Sequence, residues 1–473
     1  MSTPHPDPPP QGGRETSAER AFPQGFLWGT ATAAHQVEGG NHLNDWWAWE
    51  QTPGHIKNGD RSDPACDHYQ RFRSDFDLLQ SLHQNAHRFS LEWSRIEPRP
   101  GEFSASAIQH YAEVLQALRQ RGMEPVVTIH HFTNPTWIAA AGGWETPETA
   151  ERFARFAERV TDELGSLARY WVTINEPTVI AYQGYIRGDW PPGKHGGIGS
   201  TARVLVTLMR AHWLAYERIK AKHPEVQLGL AHHLRVFDPA RPWMPLDRAV
   251  AAAFTRVFNQ TVLKTLRQGR LVFPLTRAAT PSPSLPTRGR ESAMSGPVPS
   301  QDFIGLNYYT RELVKFNRHY RAELFGERVL PASAPRSDLN WEVYPDGLYR
   351  TLRSLKSEGL PILVTENGIA DRADAQRPEY LLSHATAMHR AIEDGVPLRG
   401  YFHWTCFDNF EWAEGYSPKF GLIACDPVTQ ARQVRPSARL YAEICRSNAI
   451  PISVELPPAP LDREQTAGPA DLR

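Results

Sequence analysis

Eight short apolar runs, separated by segments with helical patterning, restrict the fold more than any other feature of this sequence. The runs are rich in branched and aromatic side chains and mostly lack a strict polar alternation. Such runs are typical of strands that are buried on both faces of a helix-covered parallel sheet. The predicted strands span residues 26–33, 86–91, 125–129, 171–174, 227–231, 303–307, 362–365 and 399–403.

Amphipathic helices are predicted between these strands. Apolar side chains recur at i, i+3/4 and i+7 spacing in three clear stretches, which begin at Phe72, Ile108 and Phe153. Strands that alternate with helices, without a short internal repeat, favour a (β/α)8 TIM barrel over a doubly wound sheet. A chain of 473 residues is compatible with one such α/β domain, because barrels with extended βα loops reach this size.

Both ends of the chain are predicted to lie outside the barrel. Residues 1–20, a disordered tail, and residues 451–473 are rich in proline and polar side chains and bury too little apolar surface to offset the entropy of ordering. We therefore assign the barrel domain to residues 21–450. A stretch rich in Pro, Ser and Arg at 276–300 is expected to be a loop insertion, since the pattern of elements continues after it.

Two glutamates stand at the ends of predicted strands, each beside an asparagine. Glu176 lies in Thr-Ile-Asn-Glu-Pro at 173–177, and Glu366 lies in Thr-Glu-Asn-Gly at 365–368, which is 190 residues later (366 − 176). By the strand count they follow strands four and seven. The chemistry of a (β/α)8 barrel lies at the carboxyl ends of its strands, so we expect both carboxylates in one pocket. Each motif alone is also compatible with a simple strand-end cap.

Further polar and aromatic side chains fall at the same level of the predicted barrel, and this convergence on one face supports a ligand pocket there. They are Gln36 and Glu38 after strand one, Arg88 within strand two, His130 and His131 after strand three, Asn307, Tyr308 and Tyr309 after strand six, and Trp404, Glu411 and Trp412 after strand eight.

Two carboxyl groups across a pocket are the arrangement that cleaves glycosidic bonds. One protonates the departing oxygen, and the other meets the oxocarbenium-like centre from the opposite face. The two motifs by themselves do not say which glutamate has which role. Arg88 and a tyrosine from strand six would keep Glu366 ionised as the nucleophile. The neighbouring negative charge would raise the pKa of Glu176, so we expect Glu176 to hold its proton and act as the acid/base.

Composition narrows the partners. Basic and acidic residues number 52 each, so we expect a small neutral ligand and no binding to nucleic acid or membrane. The pairs His130–His131 and His232–His233 lack further metal ligands, and no metal or cofactor is expected. Four cysteines without CxxC spacing and an N-terminus without an apolar segment predict reduced thiols and a cytoplasmic protein. The oligomeric state stays open.

Four segments together resemble glycoside hydrolase family 1. They are both glutamate motifs, residues 401–412 with Asp-Asn-Phe-Glu-Trp at 408–412, and residues 22–39, Phe-Pro-Gln-Gly-Phe-Leu-Trp-Gly-Thr-Ala-Thr-Ala-Ala-His-Gln-Val-Glu-Gly. The resemblance covers roughly residues 21–448. It implies a TIM barrel and a retaining, exo-acting β-glycosidase, with the two carboxyl groups roughly 5–5.5 Å apart.

The resemblance also implies a role for each site residue. Glu176 would be the acid/base and Glu366 the nucleophile, in agreement with the assignment from charge. Arg88 would pair with the nucleophile, and Asn307 and Tyr309 would support it. The residues implied to contact the sugar or its aglycone are Gln36, His131, Asn175, Asn307, Tyr309, Trp341, Trp404, Glu411, Trp412 and Phe420, with Trp404 beneath the ring and Trp341 at the aglycone.

The implied substrate is a small-molecule β-glycoside or oligosaccharide, and we expect a β-glucosidase that removes terminal non-reducing residues through a covalent intermediate. Glu411 would repel a phosphate at the far end of the sugar, which disfavours a 6-phospho-glycosidase. Glutamate rather than glutamine at 176 disfavours thioglucoside cleavage. Glucose, galactose and fucose stay open, because the family often tolerates changes at two positions of the sugar ring. His35 and the stretch 132–135 depart from the family pattern, which leaves the fine shape of the sugar site open.

Two alternatives bear on the function. A sugar-binding pseudoenzyme on the same barrel would have lost a catalytic glutamate, whereas this chain has both Glu176 and Glu366. A transglycosylase would pass the same intermediate to an alcohol instead of water. The sequence does not separate transglycosylation from hydrolysis.

Overall fold

A closed barrel of eight parallel strands forms the centre of the protein. The computed structural model describes residues 20–195, 197–277, 300–331 and 333–451. Each strand pairs with its neighbours in chain order, and the last strand closes against the first through the register Gly400↔Leu27 to Trp404↔Ala31. The predicted (β/α)8 fold is therefore confirmed.

All eight predicted strands are present, with ends that differ from the sequence prediction by at most two residues. They are β1 (Leu27–Ala31), β2 (Ala86–Ser90), β3 (Glu124–His130), β4 (Tyr170–Asn175), β5 (Gln227–His233), β6 (Phe303–Asn307), β7 (Ile362–Asn367) and β8 (Leu398–Trp404). Their side chains are almost all buried, which explains why the strands appear in the sequence as continuous apolar runs rather than alternations.

Helices follow the strands and form the outer layer. The long ones are His68–Ser81, Ala105–Gln120, Glu148–Leu164, Ile198–Lys222, Pro345–Leu355, Arg377–Glu393 and Pro436–Ser447. Shorter helices lie in the loops at Ala34–Val37, Asp45–Glu50, Trp93–Ile96, Thr136–Ala140, Pro177–Tyr182, Pro245–Phe254 and Thr261–Gln268, and π-helical turns lie at Gln183–Arg187 and Thr255–Gln260.

Small sheets of two or three strands lie outside the barrel. Strands Val236–Pro239, Arg311–Phe316 and Gly326–Val329 form one three-stranded sheet beside β5 and β6, and Ile423–Cys425 pairs with Val434 to Arg432 after β8. The short strands Arg20–Ala21 and Ala449–Ile450 pair antiparallel. This last pair brings the two ends of the described chain together.

The core lies between the barrel and the helices. The three predicted apolar faces point into it: Phe72 and Phe76, Leu115 and Leu118, and Phe153 are all buried. Helix Glu148–Leu164 illustrates the packing, because its residue Phe156 is fully buried and stacks on Trp93 with ring centroids 5.0 Å apart. The barrel thus gains a rigid frame on which the loops at its carboxyl end are mounted.

Several expectations concern segments at the margins of the structure. Most of the predicted tails and of the predicted insertion at 276–300 lies outside the described residues.

All four cysteines are free and buried. Within the described ranges, no helix has the length and apolar character needed to cross a membrane, and no cluster of three or more His, Cys, Asp or Glu is arranged to hold a metal ion.

Candidate active site

The two glutamates lie at the carboxyl ends of β4 and β7, as predicted. Glu176 directly follows β4 and has left-handed backbone angles (φ 47°, ψ 60°), an uncommon conformation for a residue other than glycine. Pro177 then begins the next helix. Glu366 is the penultimate residue of β7. Position 368 requires glycine, because a Cβ there would overlap the backbone carbonyl of Trp404 at the end of β8.

Glu366 is held by two donors. Its Oε1 accepts from Nη1 of Arg88 at 2.6 Å, and its Oε2 accepts from the hydroxyl of Tyr309 at 2.7 Å. Arg88 extends from β2 and is fully buried, and its other donors bind Thr128 and Asn175. The predicted pairing of this glutamate with Arg88 and a strand-six tyrosine is present in the structure.

Glu176 is held by a different pair of donors. Its Oε1 lies 2.8 Å from Nδ1 of His233 and accepts from Nδ2 of Asn307, also at 2.8 Å. The expectation that Asn307 supports Glu366 was wrong, since its amide nitrogen binds Asn175 and Glu176 while its amide oxygen accepts from Thr365. The amide of Asn307 thus has protein partners on both sides.

The pKa shifts of the two glutamates differ in direction from the expected ones. Burial raises the pKa of Glu366 to about 7, even though Arg88 and Tyr309 act in the opposite direction. Burial also raises the pKa of Glu176, but the contact with His233 and the hydrogen bond from Asn307 outweigh it and leave that pKa lowered. The expected rise in the pKa of Glu176 was wrong because His233, which the sequence analysis did not connect with either glutamate, contacts its carboxylate.

Asn175 connects both halves of the site. Its Oδ1 accepts from Arg88 Nη2 at 2.8 Å, and because arginine only donates, this contact identifies the oxygen of the amide. Nδ2 is then the donor to Nε2 of His131 at 3.1 Å. His131 is buried, and burial holds its pKa well below the usual value, so the ring is neutral with its proton on Nδ1. That Nδ1–H has no partner among the described residues.

Gln36 provides a free acceptor atom that complements the free donor on His131. Its Nε2 donates to the carbonyl of Phe410 at 2.8 Å, which orients the side chain. Its Oε1 is buried and, within the part of the chain that the structure describes, accepts no hydrogen bond. The pocket therefore offers one free acceptor on Gln36 and one free donor on His131. A ligand with several hydroxyl groups can satisfy both, since each hydroxyl donates and accepts.

Aromatic side chains from the segment after β8 form the adjoining wall. Trp404 lies nearly parallel to His131, with ring centroids 5.9 Å apart, and its Nε1 donates to Oε1 of Glu411 at 3.1 Å. Trp412 stacks on the same imidazole at 6.2 Å. Burial raises the pKa of Glu411 to about 8. Apolar ring faces beside polar acceptors are the usual composition of a sugar pocket.

Trp341 and Phe420 lie on the nucleophile side of the pocket. The Trp341 ring meets Tyr309 edge to face at 5.5 Å and lies 6.1 Å from Phe420. Trp341 is only partly buried, whereas Phe420 is buried. All of the predicted site residues thus lie at the carboxyl end of the barrel strands or in the loops that follow them.

The sequence analysis missed the partners of Glu176 on β5 and after it. His233 ends β5, and Arg235 follows two residues later and donates to its Nε2. The available signal was the position of His232-His233 at a strand end, where side chains of a (β/α)8 barrel reach the active site. Alternation of side chains along a strand places only one of two adjacent residues on the pocket side.

A (β/α)8 barrel with two strand-end glutamates, one paired with a buried arginine, belongs to the class of barrel glycosidases. The family model for glycosyl hydrolase family 1 matches residues 18–450. The chain belongs to this family, whose members are retaining β-glycosidases.

Relatives across the whole barrel agree with this assignment. "Beta-glucosidase A" of Thermotoga maritima is 36% identical over 91% of this chain and 99% of its own length. A "Beta-galactosidase" of Sulfolobus acidocaldarius is 31% identical over 92% of this chain and 97% of its own length. Among solved structures, a β-glycosidase from Pyrococcus horikoshii superposes with a TM-score of 0.81 at 36% identity, covering 92% of this chain and 96% of that one.

The chain also superposes on a solved structure that contains a bound ligand. The T. maritima β-glucosidase bound to glucoimidazole superposes with a TM-score of 0.82 at 32% identity, covering 91% of this chain and 100% of that one.

Proposed function

We propose that this retaining β-glycosidase is an exo-acting β-glucosidase in which Glu366 is the nucleophile and Glu176 is the acid/base. The observation that supports these roles best is the environment of Glu366. Its two oxygens accept from a permanently charged arginine and from a tyrosine hydroxyl, and both donors favour the ionised carboxylate that a nucleophile must be.

The first step forms the glycosyl-enzyme. An oxygen of Glu366 attacks the anomeric carbon while the bond from that carbon to the aglycone oxygen breaks, and Glu176 gives its proton to the departing oxygen. The negative charge of Glu366 is consumed in the new ester bond. Among the described residues Arg88 then has no anionic partner, which favours return of the Glu366 carboxylate in the second step.

The second step releases the sugar. Glu176, now ionised, takes a proton from a water molecule as the water oxygen attacks the anomeric carbon, and Glu366 leaves as a carboxylate. Two inversions restore the β configuration. This outcome requires carboxyl groups roughly 5–5.5 Å apart, and that spacing stays a prediction.

The two glutamates are close enough in charge interaction to titrate as a coupled pair. The charge on Glu176 raises the pKa of Glu366, so the pair titrates as a unit. Attack needs the form in which Glu176 carries the proton. Glu366 is the carboxylate that pairs with Arg88 within the described ranges, so this form also keeps the buried guanidinium neutralised.

The sugar would be recognised by the free polar atoms of the pocket. Gln36 Oε1 and His131 Nδ1–H are buried and without protein partners in the described chain, so they are suited to adjacent hydroxyl groups. Glu411 would accept from hydroxyls at the far end of the ring, and Trp404 would carry the apolar ring face. We place Asn175 and Trp412 beside them, and Trp341 and Phe420 at the aglycone.

We also propose the substrate class and the location. Several relatives bear the name β-glucosidase, and a Thermotoga neapolitana protein named "1,4-beta-D-glucan glucohydrolase" is 34% identical over 91% of this chain, which supports short β-1,4-linked glucose oligomers from cellulose as substrates. Four buried, free cysteines support a reducing compartment such as the cytoplasm.

A panel of chromogenic substrates tests the proposal. The 4-nitrophenyl β-glucoside, β-galactoside, β-fucoside and β-glucoside 6-phosphate should be compared by kcat/KM, with the α-glucoside as a control. The β-glucoside is expected to be the best, and the 6-phosphate and the α-anomer should be poor. A preference for the 6-phosphate would contradict the role of Glu411. NMR of the first-formed sugar should show the β-anomer, and the α-anomer would exclude retention.

A further inference from the structure

A network of contacting polar side chains extends outward from Glu176. Its Oε1 contacts Nδ1 of His233 at 2.8 Å, and Nε2 of the same ring accepts from Nε of Arg235 at 2.7 Å. Arg235 forms an ion pair with Glu312, and Arg328 lies 2.9 Å from the other oxygen of that carboxylate. This network connects the proposed acid/base to charged side chains on the sheet beside the barrel.

Arg235 determines which nitrogen of His233 carries the proton. A guanidinium donates hydrogen bonds and never accepts them. Nε2 of His233 must therefore be the acceptor, and in the neutral ring the hydrogen is on Nδ1. Burial lowers the pKa of His233, which keeps the ring neutral. The imidazole thus donates from Nδ1 to Oε1 of Glu176.

Oε1 of Glu176 is fully occupied by donors. Besides His233, it accepts from Nδ2 of Asn307 at 2.8 Å, and the oxygen of that amide is identified by the hydroxyl of Thr365, which donates to it at 2.6 Å. A proton on Oε1 would meet two N–H groups that already point at it. The acidic proton of Glu176 must then be on Oε2, for which the described chain provides no hydrogen-bonding partner.

The packing around His233 leaves the ring little freedom to turn. The imidazole stacks on Tyr309 with centroids 5.8 Å apart and meets Phe258 edge to face at 6.0 Å. The guanidinium of Arg235 lies over the same phenyl ring at 5.4 Å. The charged and titratable groups that face His233 are Glu176 from the end of β4, Arg235 after β5, Tyr309 after β6 and Glu312 on the adjoining strand.

We propose that His233 and Arg235 are positioning residues, which hold the catalytic proton of Glu176 on Oε2, the oxygen available to the glycosidic bond. This proposal rests on the acid/base role proposed above for Glu176. Neither positioning residue needs to touch the substrate. They act by making Oε1 a permanent acceptor, so the only protonated form of Glu176 is the one that can deliver its proton.

Loss of the arginine donor would allow His233 to adopt its second tautomer, with the hydrogen on Nε2. In Arg235→Met, Nε2 of His233 has no obligatory donor, so the ring can carry its hydrogen there and present the lone pair of Nδ1 to Glu176. A protonated Glu176 would then donate from Oε1 to the imidazole, away from the bond to be cleaved. Methionine keeps apolar contact with Phe258, which limits the structural disturbance.

The test compares substrates that differ in their need for an acid. Hydrolysis of 2,4-dinitrophenyl β-glucoside needs little proton transfer to its leaving group, whereas methyl β-glucoside depends on it. In Arg235→Met we expect kcat/KM for the methyl glucoside to fall roughly tenfold or more, with at most about a threefold change for the dinitrophenyl glucoside. Arg235→Lys, which restores a donor without an acceptor, should recover most of the loss.

Control variants separate positioning from general damage. Arg350→Met removes an arginine that makes two 2.8 Å contacts with Asp238 and contacts neither glutamate, and both substrates should react as in the wild type. His233→Phe keeps the ring between its aromatic neighbours and deletes both nitrogens. It should reproduce the selective loss, and it serves as the test if Arg235→Met does not fold.

The outcomes discriminate between two hypotheses. A loss of equal size for both substrates, no loss, or failure of Arg235→Lys to recover would overturn the positioning role. Glu176→Ala, measured in parallel, tests the acid/base assignment separately: it should lose methyl glucoside turnover and form the β-azide from the dinitrophenyl glucoside when azide is added. If Glu176→Ala behaves so and Arg235→Met shows no selective loss, only the positioning role fails.

Discussion

Tyr309→Phe tests the proposed nucleophile through a single hydrogen bond. The hydroxyl of Tyr309 donates to Oε2 of Glu366 at 2.7 Å, and both residues are buried. A hydrogen bond to a charged group contributes about 1.5–3 kcal/mol, and one pKa unit corresponds to about 1.4 kcal/mol. Removal of the hydroxyl should therefore raise the pKa of Glu366 by roughly 1–2 units.

The direction of the effect on rate follows from the charge of the nucleophile. The hydroxyl stabilises the ionised carboxylate, so its loss favours the protonated and inactive form. The acidic limb of kcat/KM should move to higher pH by the same roughly 1–2 units. Burial already raises the pKa of Glu366 to about 7, against the opposing charge of Arg88, so the variant should lose activity at neutral pH and regain it in alkaline buffer.

The assay is the pH profile of kcat/KM with 2,4-dinitrophenyl β-glucoside, whose leaving group needs little acid catalysis. Tyr308→Phe is the matched control, because that neighbouring hydroxyl donates to the carbonyl of Tyr344 at 2.6 Å and contacts neither glutamate. Its acidic limb should coincide with that of the wild type. An unmoved limb in Tyr309→Phe, or an equal shift in Tyr308→Phe, would refute the reasoning.

Three further predictions use other parts of the molecule. Glu366→Gly should abolish turnover of aryl β-glucosides, and added azide should partly restore reaction and give the α-azide; normal turnover would contradict the nucleophile assignment. Glu411→Gln replaces a carboxyl acceptor beside Trp404 and should lower kcat/KM for the β-glucoside about 10- to 100-fold at unchanged thermal stability; an unchanged value would remove Glu411 from the sugar site. Phe156→Ala should lower the free energy of unfolding by about 3–5 kcal/mol in denaturant titration, because Phe156 is fully buried against Trp93; a loss below about 1 kcal/mol would contradict this packing.

Local patterns in the sequence were sufficient for the architecture. Strands buried on both faces must be apolar throughout, so runs such as 303–307 and 362–365 indicated a helix-covered parallel sheet before any contact was known. The position of Glu176 and Glu366 at strand ends then implied a shared pocket, because a closed parallel barrel directs all of its carboxyl ends to one side. The pairing of Arg88 with Glu366 followed from the need of a nucleophilic carboxylate to stay ionised.

The tertiary structure alone decided how the two carboxylates differ. Asn307 was expected beside Glu366 and lies on Glu176, and His233 was not connected with either glutamate. Donors that come from other strands, 57 and 131 residues away along the chain, leave no periodic trace in the sequence. Protonation depends on distances, on burial and on which way a ring donates. The sequence by itself therefore determined the barrel and its pair of glutamates, while the packing of β5 between β4 and β6 determined which donors hold Glu176.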